Sequence, residues 1–351
     1  MTLLVELRAN CVIKTDLLVS DPDWIPHGID IKSGIAHFLR FPASAFAGEG
    51  FLADYTPETA LDTATISLDE LAAMQPEAGP LHFIFHTAFC RSTLLARVMN
   101  IDGVATGMSE PGIIASLASA GNAGAHLIEP CLKLLSRRRT GPDGAVQAVF
   151  VKPTNHANSL IPALMHAAPD AKAVMLSNSL SAFLRSVNRK GLLGRRWARN
   201  LYLEVQSYAP LDLGISPQEH FLLSDLQIAG LAWLLQRRWF EANMKGTNGL
   251  RMRSLDSAHF NDARSASLRA IAQFTGLDIA TAQIDRAVRS EIFQTHAKLG
   301  GNYDLRKKLA SADSSSPVFR EESAMVEQWI GQIAQQAQVG ANGSFESRSL
   351  I

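Results

Sequence analysis

Residues 81–99 read LHFIFHTAFCRSTLLARVM, and this stretch decides the fold. Its first five residues, 81–85, have the length and apolar content of a buried strand. A short polar loop follows and ends in Ser92-Thr93, after which aliphatic residues recur at helical spacing, so a helix is predicted to begin at this hydroxyl pair. A strand, a tight loop and a helix N-terminus together favour binding of phosphate-like groups, because the first helical N–H groups lack partners and the helix dipole attracts anions.

The loop differs from the best-known phosphate-binding motif. A Walker A sequence has two glycines and a lysine before its hydroxyl residue. Aligned on the hydroxyl of Thr93, this chain has His86 and Arg91 at the glycine positions and Ser92 at the lysine position. Hydroxyl groups at a helix start still donate hydrogen bonds, and Arg91 would supply the missing cation. The loop therefore predicts an anion site, with simple capping of a helix by Ser92 or Thr93 as the alternative.

Composition limits the classes of protein to consider. The chain has 351 residues, 47% of them hydrophobic, and a formal net charge of zero. This length allows one large α/β domain with an extension, or two modest domains. Because the net charge is zero, nothing favours a nucleic-acid partner, and any anion site must be local. Three widely spaced cysteines and no long apolar run predict a cytoplasmic protein without a membrane partner.

The order of apolar segments predicts three regions. Residues 1–78 show no clear alternation of strands and helices, and we expect them to form an N-terminal extension packed on the main domain. Strands and helices alternate over 79–338, where 145–151 and 171–176 are continuous apolar runs typical of a parallel sheet covered on both faces. This pattern predicts a doubly wound, mainly parallel α/β sheet with the loop after its first strand, where such folds bind ligands. A polar tail at 339–351 is predicted to be disordered.

The residues that follow the later strands discriminate between chemistries. A Mg²⁺-dependent NTPase usually carries an aspartate at the end of a neighbouring strand. Here the strand at 145–151 runs into Lys152, and the strand at 171–176 runs into Ser177-Asn178. Since neither strand end supplies a carboxylate, the sequence favours an anion held by protein groups without a metal ion.

Basic residues are concentrated just after the second of these strands. Seven basic and no acidic residues lie between Ala171 and Leu203: Lys172, Arg185, Arg189, Lys190, Arg195, Arg196 and Arg199. They predict a positive rim that attracts a multiply charged ligand, with a solvated helix face as the alternative. A separate run, RRR at 137–139, precedes Gly-Pro-Asp-Gly and is interpreted as a surface turn.

The order of several segments resembles the sulfotransferase family. These are HTAFCRSTLLARVM at 86–99, MSEP at 108–111, VFVKPTN at 149–155, PDAKAVMLSNSLSAFLRS at 169–186 and THAKLGGNYD further on. The resemblance spans about residues 80–310 and rests on order and spacing, since no single motif is highly specific. It implies a P-loop-like fold that binds 3′-phosphoadenosine 5′-phosphosulfate. It also implies transfer of the sulfuryl group to a hydroxyl or amine of a small acceptor.

The resemblance implies roles for the residues that match the family's motifs. The 5′-phosphosulfate would contact the first loop, the 3′-phosphate would contact the helix after the second apolar run, and a later loop would close over the nucleotide. The matching residues are Cys90, Arg91, Ser92 and Thr93 in the first loop, Arg185 and Ser186 in the helix, and Lys298, Gly300 and Gly301 in the closing loop. Two positions depart from the family: Phe89 and Asn178 stand where basic residues are usual.

Sulfuryl transfer also requires a base for the acceptor and a cation for the developing charge. Glu110 in MSEP and His156 after the strand at 145–151 are the two candidate bases, and Lys152 is the candidate cation. No metal ion is expected. Two other functions stay open: a nucleotide-dependent kinase or NTPase of the same fold, and a non-catalytic relative, which the replacements at Phe89 and Asn178 favour.

Overall fold

The computed structural model describes residues 15–48, 50–293, 316–340 and 347–351. Its strands are β1 (Trp24–Asp30), β2 (Ile35–Arg40), β3 (Asp62–Ser67), β4 (Leu81–His86), β5 (Ala105–Ser109), β6 (Thr140–Gly141), β7 (Gly144–Ala145), β8 (Ala148–Lys152), β9 (Lys172–Ser177) and β10 (Met252–Asp256). The α-helices in the first half are α1 (Thr15–Ser20), α2 (Ser44–Ala47), α3 (Leu68–Ala73), α4 (Ser92–Val98), α5 (Gly112–Ala120), α6 (Ile128–Leu135) and α7 (Ile161–Ala167).

The second half of the chain is mostly helical. Its α-helices are α8 (Leu180–Arg189), α9 (Gly191–Tyr208), α10 (Pro217–Leu222), α11 (Asp225–Asn243), α12 (Ser257–Asp262), α13 (Arg264–Thr275), α14 (Thr281–Arg289) and α15 (Pro317–Gln336). Within the described ranges, none of the helices combines the length and hydropathy that crossing a bilayer requires.

The central sheet has five parallel strands in the order β10-β9-β4-β8-β5. The chain passes from β4 to the edge at β5, returns to β8 beside β4, and then continues on the other side through β9 and β10. The direction of winding therefore reverses at β4. In open α/β sheets, ligands bind outside the carboxyl ends of the strands at such a reversal. The predicted doubly wound α/β fold is confirmed, and the loop after β4 lies at this point.

Both faces of the central sheet are covered. In β4, Phe83 and Phe85 pack into the core shared with α6 and α7, whereas Ile84 packs against α4 on the opposite face. In β9, Met175 and Val174 are divided between the faces in the same way. Because alternate residues enter two different apolar cores, the strands read as continuous apolar runs.

The N-terminal residues form a separate antiparallel sheet, β1-β2-β3, on one side of the central sheet. Trp24 and Phe38 from this small sheet lie in the same apolar core as Phe83. The hydroxyl of Ser116 in α5 accepts the Ile29 N–H at 2.9 Å and donates to the Ile29 carbonyl at 3.1 Å. The extension therefore shares a core with the main sheet.

The run of arginines at 137–139 is not a surface turn, so that interpretation is wrong. Arg137 is buried and donates to the carbonyl oxygens of Leu18 at 2.7 Å and Asp21 at 2.8 Å, where α1 ends. Arg139 pairs with Asp23 at 3.2 Å. Burial lowers the pKa of Arg137 to about 10, which leaves the guanidinium charged at neutral pH. The carbonyl groups that end a short helix need donors, and Arg137 supplies them to α1.

The last residues of the chain lie beside β10. The Ser254 N–H donates to the Arg348 carbonyl at 3.0 Å, and the Leu350 N–H donates to the Ser254 carbonyl at 2.9 Å. Within the segment 339–351 that was predicted to be disordered, residues 348–350 pair with the edge of β10.

Candidate functional site

The loop after β4 is held at its start by side chains from neighbouring strand ends. The Thr87 N–H donates to the Leu176 carbonyl at 3.0 Å, which continues the pairing of β4 with β9. Asn178, just after β9, accepts from the Thr87 hydroxyl at 3.2 Å and donates to the Ala88 carbonyl at 3.3 Å. The ring nitrogens of His86 lie 2.9 Å and 3.1 Å from the carbonyl oxygens of Thr87 and Pro153. These contacts use the carbonyl groups of the loop.

The N–H groups of the loop are left available. Those of Ala88, Phe89 and Cys90 have no acceptor within the part of the chain that the structure describes. Phe89 and Arg91 have φ of 62° and 64°, in the left-handed region that non-glycine residues seldom adopt. A backbone that alternates in this way turns successive N–H groups toward one side and forms an anion-binding concavity. Ala88 and Cys90 are buried, and a buried N–H without a partner is costly.

A hydroxyl group beside the loop is also without a partner. The Oγ1 atom of Thr93, in the first turn of α4, is buried and has no hydrogen-bond partner among the described residues. The first N–H groups of a helix likewise have no carbonyl within the helix to accept from them. Polar groups from the loop and from α4 are therefore available to a ligand at the same point.

An ion pair lies at the neighbouring strand ends. Since β5 and β8 are adjacent and Ser109 is in register with Lys152, the next residue, Glu110, lies beside the lysine. The Glu110 N–H donates to the Lys152 carbonyl at 2.7 Å, and its carboxylate pairs with the Lys152 ammonium group. The lysine side chain is fully buried and that of the glutamate is 14% exposed. A carboxylate that binds a lysine through one oxygen keeps lone pairs for a further proton or donor.

The N-terminal extension contacts this ion pair. The ring centroid of Phe51 lies 5.2 Å from the Lys152 ammonium nitrogen. The Ala53 N–H donates to the Glu110 carbonyl at 2.9 Å, and Glu110 has a φ of 52°. The extension thus helps to hold the left-handed conformation that brings Glu110 beside the lysine.

His156 lies in the 3₁₀ turn Asn155–Leu160 after β8. Its Nδ1 atom is 2.6 Å from the Glu204 carboxylate, and its Nε2 atom accepts from the Trp197 indole N–H at 3.2 Å. The hydrogen bond to Glu204 raises the pKa of His156 above its ordinary value, although burial opposes this. Glu110 also raises the pKa through its charge, in accord with its position near the ring. Because Trp197 occupies Nε2, this ring could act as a base only after that bond breaks.

Aromatic side chains connect His156 to the loop. The ring of Trp197 in α9 lies 4.9 Å from the ring of Phe89, and Phe183 of α8 lies 5.7 Å from Phe89, measured between centroids. The Lys190 ammonium nitrogen lies 5.6 Å from the Phe89 ring. The structure thus brings the loop, Lys152, Glu110 and His156 together at one edge of the sheet.

The other predicted binding residues are placed less directly. Arg91 donates to the Asn261 side chain of α12, where an open depression of about 630 Å³ begins. Arg185 and Ser186 lie on α8 and bond within their helix, to Ser181 at 2.6 Å and to the Ala182 carbonyl at 2.9 Å.

The remaining predicted binding residues divide between the first loop and the closing loop. Ser92 contacts the buried Cys90 thiol, whose pKa burial raises to about 11. Lys298, Gly300 and Gly301 lie outside the described residues.

Sequence reasoning missed three residues of the site. Asn178 was noted only for lacking a carboxylate and a basic group, yet it holds the start of the loop. Trp197 and Glu204 lie seven residues, or about two turns, apart on α9, and nothing in the sequence indicated that they bind His156. Within the described ranges, no three His, Cys, Asp or Glu side chains converge as a metal site would require.

Comparisons with known proteins show similarity to solved structures, and the similarity described here is distant. No protein-family model matches the chain, and no curated protein matches its sequence. A solved structure, the sulfotransferase domain from the curacin biosynthetic pathway, is similar with a TM-score of 0.37 and 10% sequence identity. The match covers 72% of this chain and 98% of that domain. Neither value is high enough to transfer a residue role to this chain.

The contacts of His156 predict its titration. We expect an NMR titration of the ring to give a pKa above the usual value of about 6.5. Glu204→Gln removes the negative charge beside His156 and the strongest hydrogen-bond acceptor of its ring, so it should lower the pKa of His156. The Trp197 indole N–H resonance should move in the same titration, because a protonated Nε2 no longer accepts its hydrogen bond. Since the pKa is raised on folding, the stabilisation is complete below the unfolded pKa and is lost as the pH rises through the folded value.

The matched control is Glu219→Gln, which removes an exposed acid that caps α10. This change should leave the His156 titration as it is. A pKa at or below 6.5 that does not respond to Glu204→Gln would contradict the arrangement.

Proposed function

We propose that this protein is a sulfotransferase that uses 3′-phosphoadenosine 5′-phosphosulfate as donor and a hydroxyl or amine of a small molecule as acceptor. The observation that carries the proposal is the set of available N–H groups at Ala88, Phe89 and Cys90, beside the buried ion pair of Lys152 and Glu110. The family resemblance of the sequence supplies the identity of the donor.

The loop fits the 5′-phosphosulfate end of the donor. Three backbone N–H groups and the Thr93 hydroxyl offer donors to anionic oxygens, and none of these groups has an acceptor in the described part of the protein. Arg185 and Ser186 on α8 would then serve the 3′-phosphate, with their present bonds inside the helix exchanged for the ligand. Binding at Arg91 would compete with Asn261 in the same way.

The ion pair fits the chemistry of transfer. The acceptor oxygen forms a bond to sulfur while the bond between sulfur and the bridging phosphate oxygen breaks, and that oxygen keeps the electron pair. Glu110 takes the acceptor's proton through the carboxylate oxygen that Lys152 does not hold. The Lys152 ammonium group then stabilises charge on the sulfuryl group or on the leaving oxygen. The products are the sulfated acceptor and 3′-phosphoadenosine 5′-phosphate.

The residues at the ends of the strands give less support to a Mg²⁺-dependent kinase or NTPase. The strands that flank β4 end in Lys152 and Ser177. Asp256 ends the outer strand β10, but its carboxylate accepts from the Ala258 and His259 N–H groups at the start of α12.

Thr93→Val tests the donor site. In the free protein this change removes a hydroxyl that has no partner, so the free energy of unfolding should stay the same or rise. If the hydroxyl binds an anionic oxygen of the donor, affinity should fall by about 10- to 100-fold. Calorimetry with 3′-phosphoadenosine 5′-phosphate measures the affinity, and Thr275→Val, whose hydroxyl already donates within α13 at 2.7 Å, is the matched control.

Each outcome of this calorimetry bears on the function. Binding that Thr93→Val weakens supports the donor site. Equal affinity of Thr93→Val and the original chain would mean that the ligand binds away from the loop. No binding at all would favour a non-catalytic relative, and tight binding of Mg²⁺-ATP instead would favour a kinase or NTPase.

Glu110→Gln tests the base. We expect the turnover of ³⁵S-labelled donor with a panel of phenols, alcohols and amines to fall by about 10²- to 10⁴-fold. Affinity for 3′-phosphoadenosine 5′-phosphate should hardly change, which also shows that the site is intact even if the loss of a counterion for Lys152 lowers the melting temperature. Glu129→Gln, at an exposed pair in α6, is the control. Retained turnover in Glu110→Gln would transfer the role of base to His156 or to another group.

A further inference from the structure

Exposed hydrophobic side chains are concentrated on two neighbouring helices. Of the twelve large hydrophobic residues that are exposed in the described part of the chain, five lie on α9 and α10. Leu192 and Leu193 are 80% and 79% exposed at the start of α9, and Phe221 is 86% exposed on α10. We call this set the α9–α10 surface, and its members are Leu192, Leu193, Leu203, Phe221 and Leu222.

The two helices lie side by side. The rings of Tyr202 and His220 are 5.2 Å apart, and the Arg199 guanidinium group donates to the Leu223 carbonyl at 3.1 Å. Since 221 and 222 fall between these two contact points, they lie alongside the second half of α9.

Two of the three exposed leucines of α9 share a face, and Leu193 lies about 100° further around the helix. Leu192 and Leu203 are eleven residues apart, which is three turns of a helix, and Arg196 and Arg199 lie on the same face between them. An apolar and basic stripe therefore runs along α9 and meets α10.

Basic residues outnumber acidic ones on the α9–α10 surface, although Glu204 follows Leu203 on α9 and Glu219 is exposed on α10. From Arg185 to Leu203 the chain has six basic residues and no acidic one: Arg185, Arg189, Lys190, Arg195, Arg196 and Arg199. Asp225 of α11 faces two of them, at 2.6 Å from Arg199 and 3.9 Å from Arg195. Arg189 and Arg196 are exposed and flank the Leu192-Leu193 pair.

We propose that the α9–α10 surface binds an anionic lipid bilayer, with its leucines and phenylalanine in the interface and its arginines on the headgroup phosphates. Large exposed apolar patches mark protein or membrane contacts, and a basic amphipathic helix is suited to anionic lipid. A small anion would engage the arginines but leave the apolar side chains in water. A second copy of the chain would bring like charges together at Arg189 and Arg196.

This inference differs from the expectation of no membrane partner, which rested on the lack of a long apolar segment. The apolar residues of the α9–α10 surface belong to two separate helices, which are brought side by side only by folding. The surface also borders the candidate site, because Lys190 lies over the Phe89 ring. Membrane binding does not depend on the proposed reaction, so its test needs no donor and no acceptor.

Sedimentation with vesicles tests the proposal. The full chain is mixed with vesicles of phosphatidylcholine alone, or with vesicles in which roughly a third of the lipid is phosphatidylserine. We expect binding to the anionic vesicles, little binding to the neutral ones, and release as salt is raised. The double variant Leu192→Asp, Leu193→Asp should bind at least about tenfold more weakly. Arg189→Glu with Arg196→Glu should remove the preference for phosphatidylserine.

The control adds the same two acidic groups elsewhere. Leu61→Asp with Leu250→Asp changes leucines that are 61% and 71% exposed outside the α9–α10 surface, and its binding should match that of the original chain. Circular dichroism checks that each variant folds. No binding to anionic vesicles, or equal binding by the Leu192→Asp, Leu193→Asp variant, would overturn the proposal. A dimer that this variant dissociates would overturn it too, since a second copy would then cover the surface.

Discussion

The constraint on which the candidate site depends is that the loop after β4 is held through its carbonyl groups and side chains while its N–H groups stay available. Asn178 and the ring of His86 contact the carbonyl groups of residues 87 and 88, and Thr87 extends the pairing with β9. The left-handed conformations at Phe89 and Arg91 are costly for residues with a side chain. Strain of this kind persists only where the surroundings enforce it, and here the enforced geometry leaves three successive N–H groups without an acceptor in the described structure.

The buried positive charge at the site is neutralised by a carboxylate of the protein itself, so it is stable without a bound ligand. A fully buried lysine would be costly alone, and Glu110 neutralises Lys152 at the end of the adjacent strand. The left-handed φ of Glu110 and its carbonyl contact with Ala53 make the N-terminal extension part of this arrangement. The extension is therefore tied both to the core of the main sheet and to the ion pair at its edge.

The sequence predicted the parts of the fold that depend on local pattern. Continuous apolar runs located β4, β8 and β9, because strands buried on both faces must be apolar throughout. The loop was predicted from its position after the first of these strands. The N-terminal sheet was not predicted, because β1 contains Pro26 and lacks a clean alternation.

Contacts between distant residues were beyond the reach of sequence reasoning. Glu110 and Lys152 were each proposed as functional groups, but their pairing follows from the adjacency of β5 and β8, which chain order does not reveal. Arg137 was misinterpreted for the same reason, since its carbonyl partners lie more than a hundred residues away. The replacement at Asn178 indicated a lost contact, whereas the shorter side chain makes a different one with the loop.

The most direct test of the account is to follow the backbone amide resonances of Ala88, Phe89 and Cys90 by ¹⁵N–¹H NMR while 3′-phosphoadenosine 5′-phosphate is added. A phosphate seated in the loop should move these three proton resonances downfield in step with binding, because each N–H gains a charged acceptor. Binding that shifts other regions and leaves these three amides unchanged would contradict the central claim.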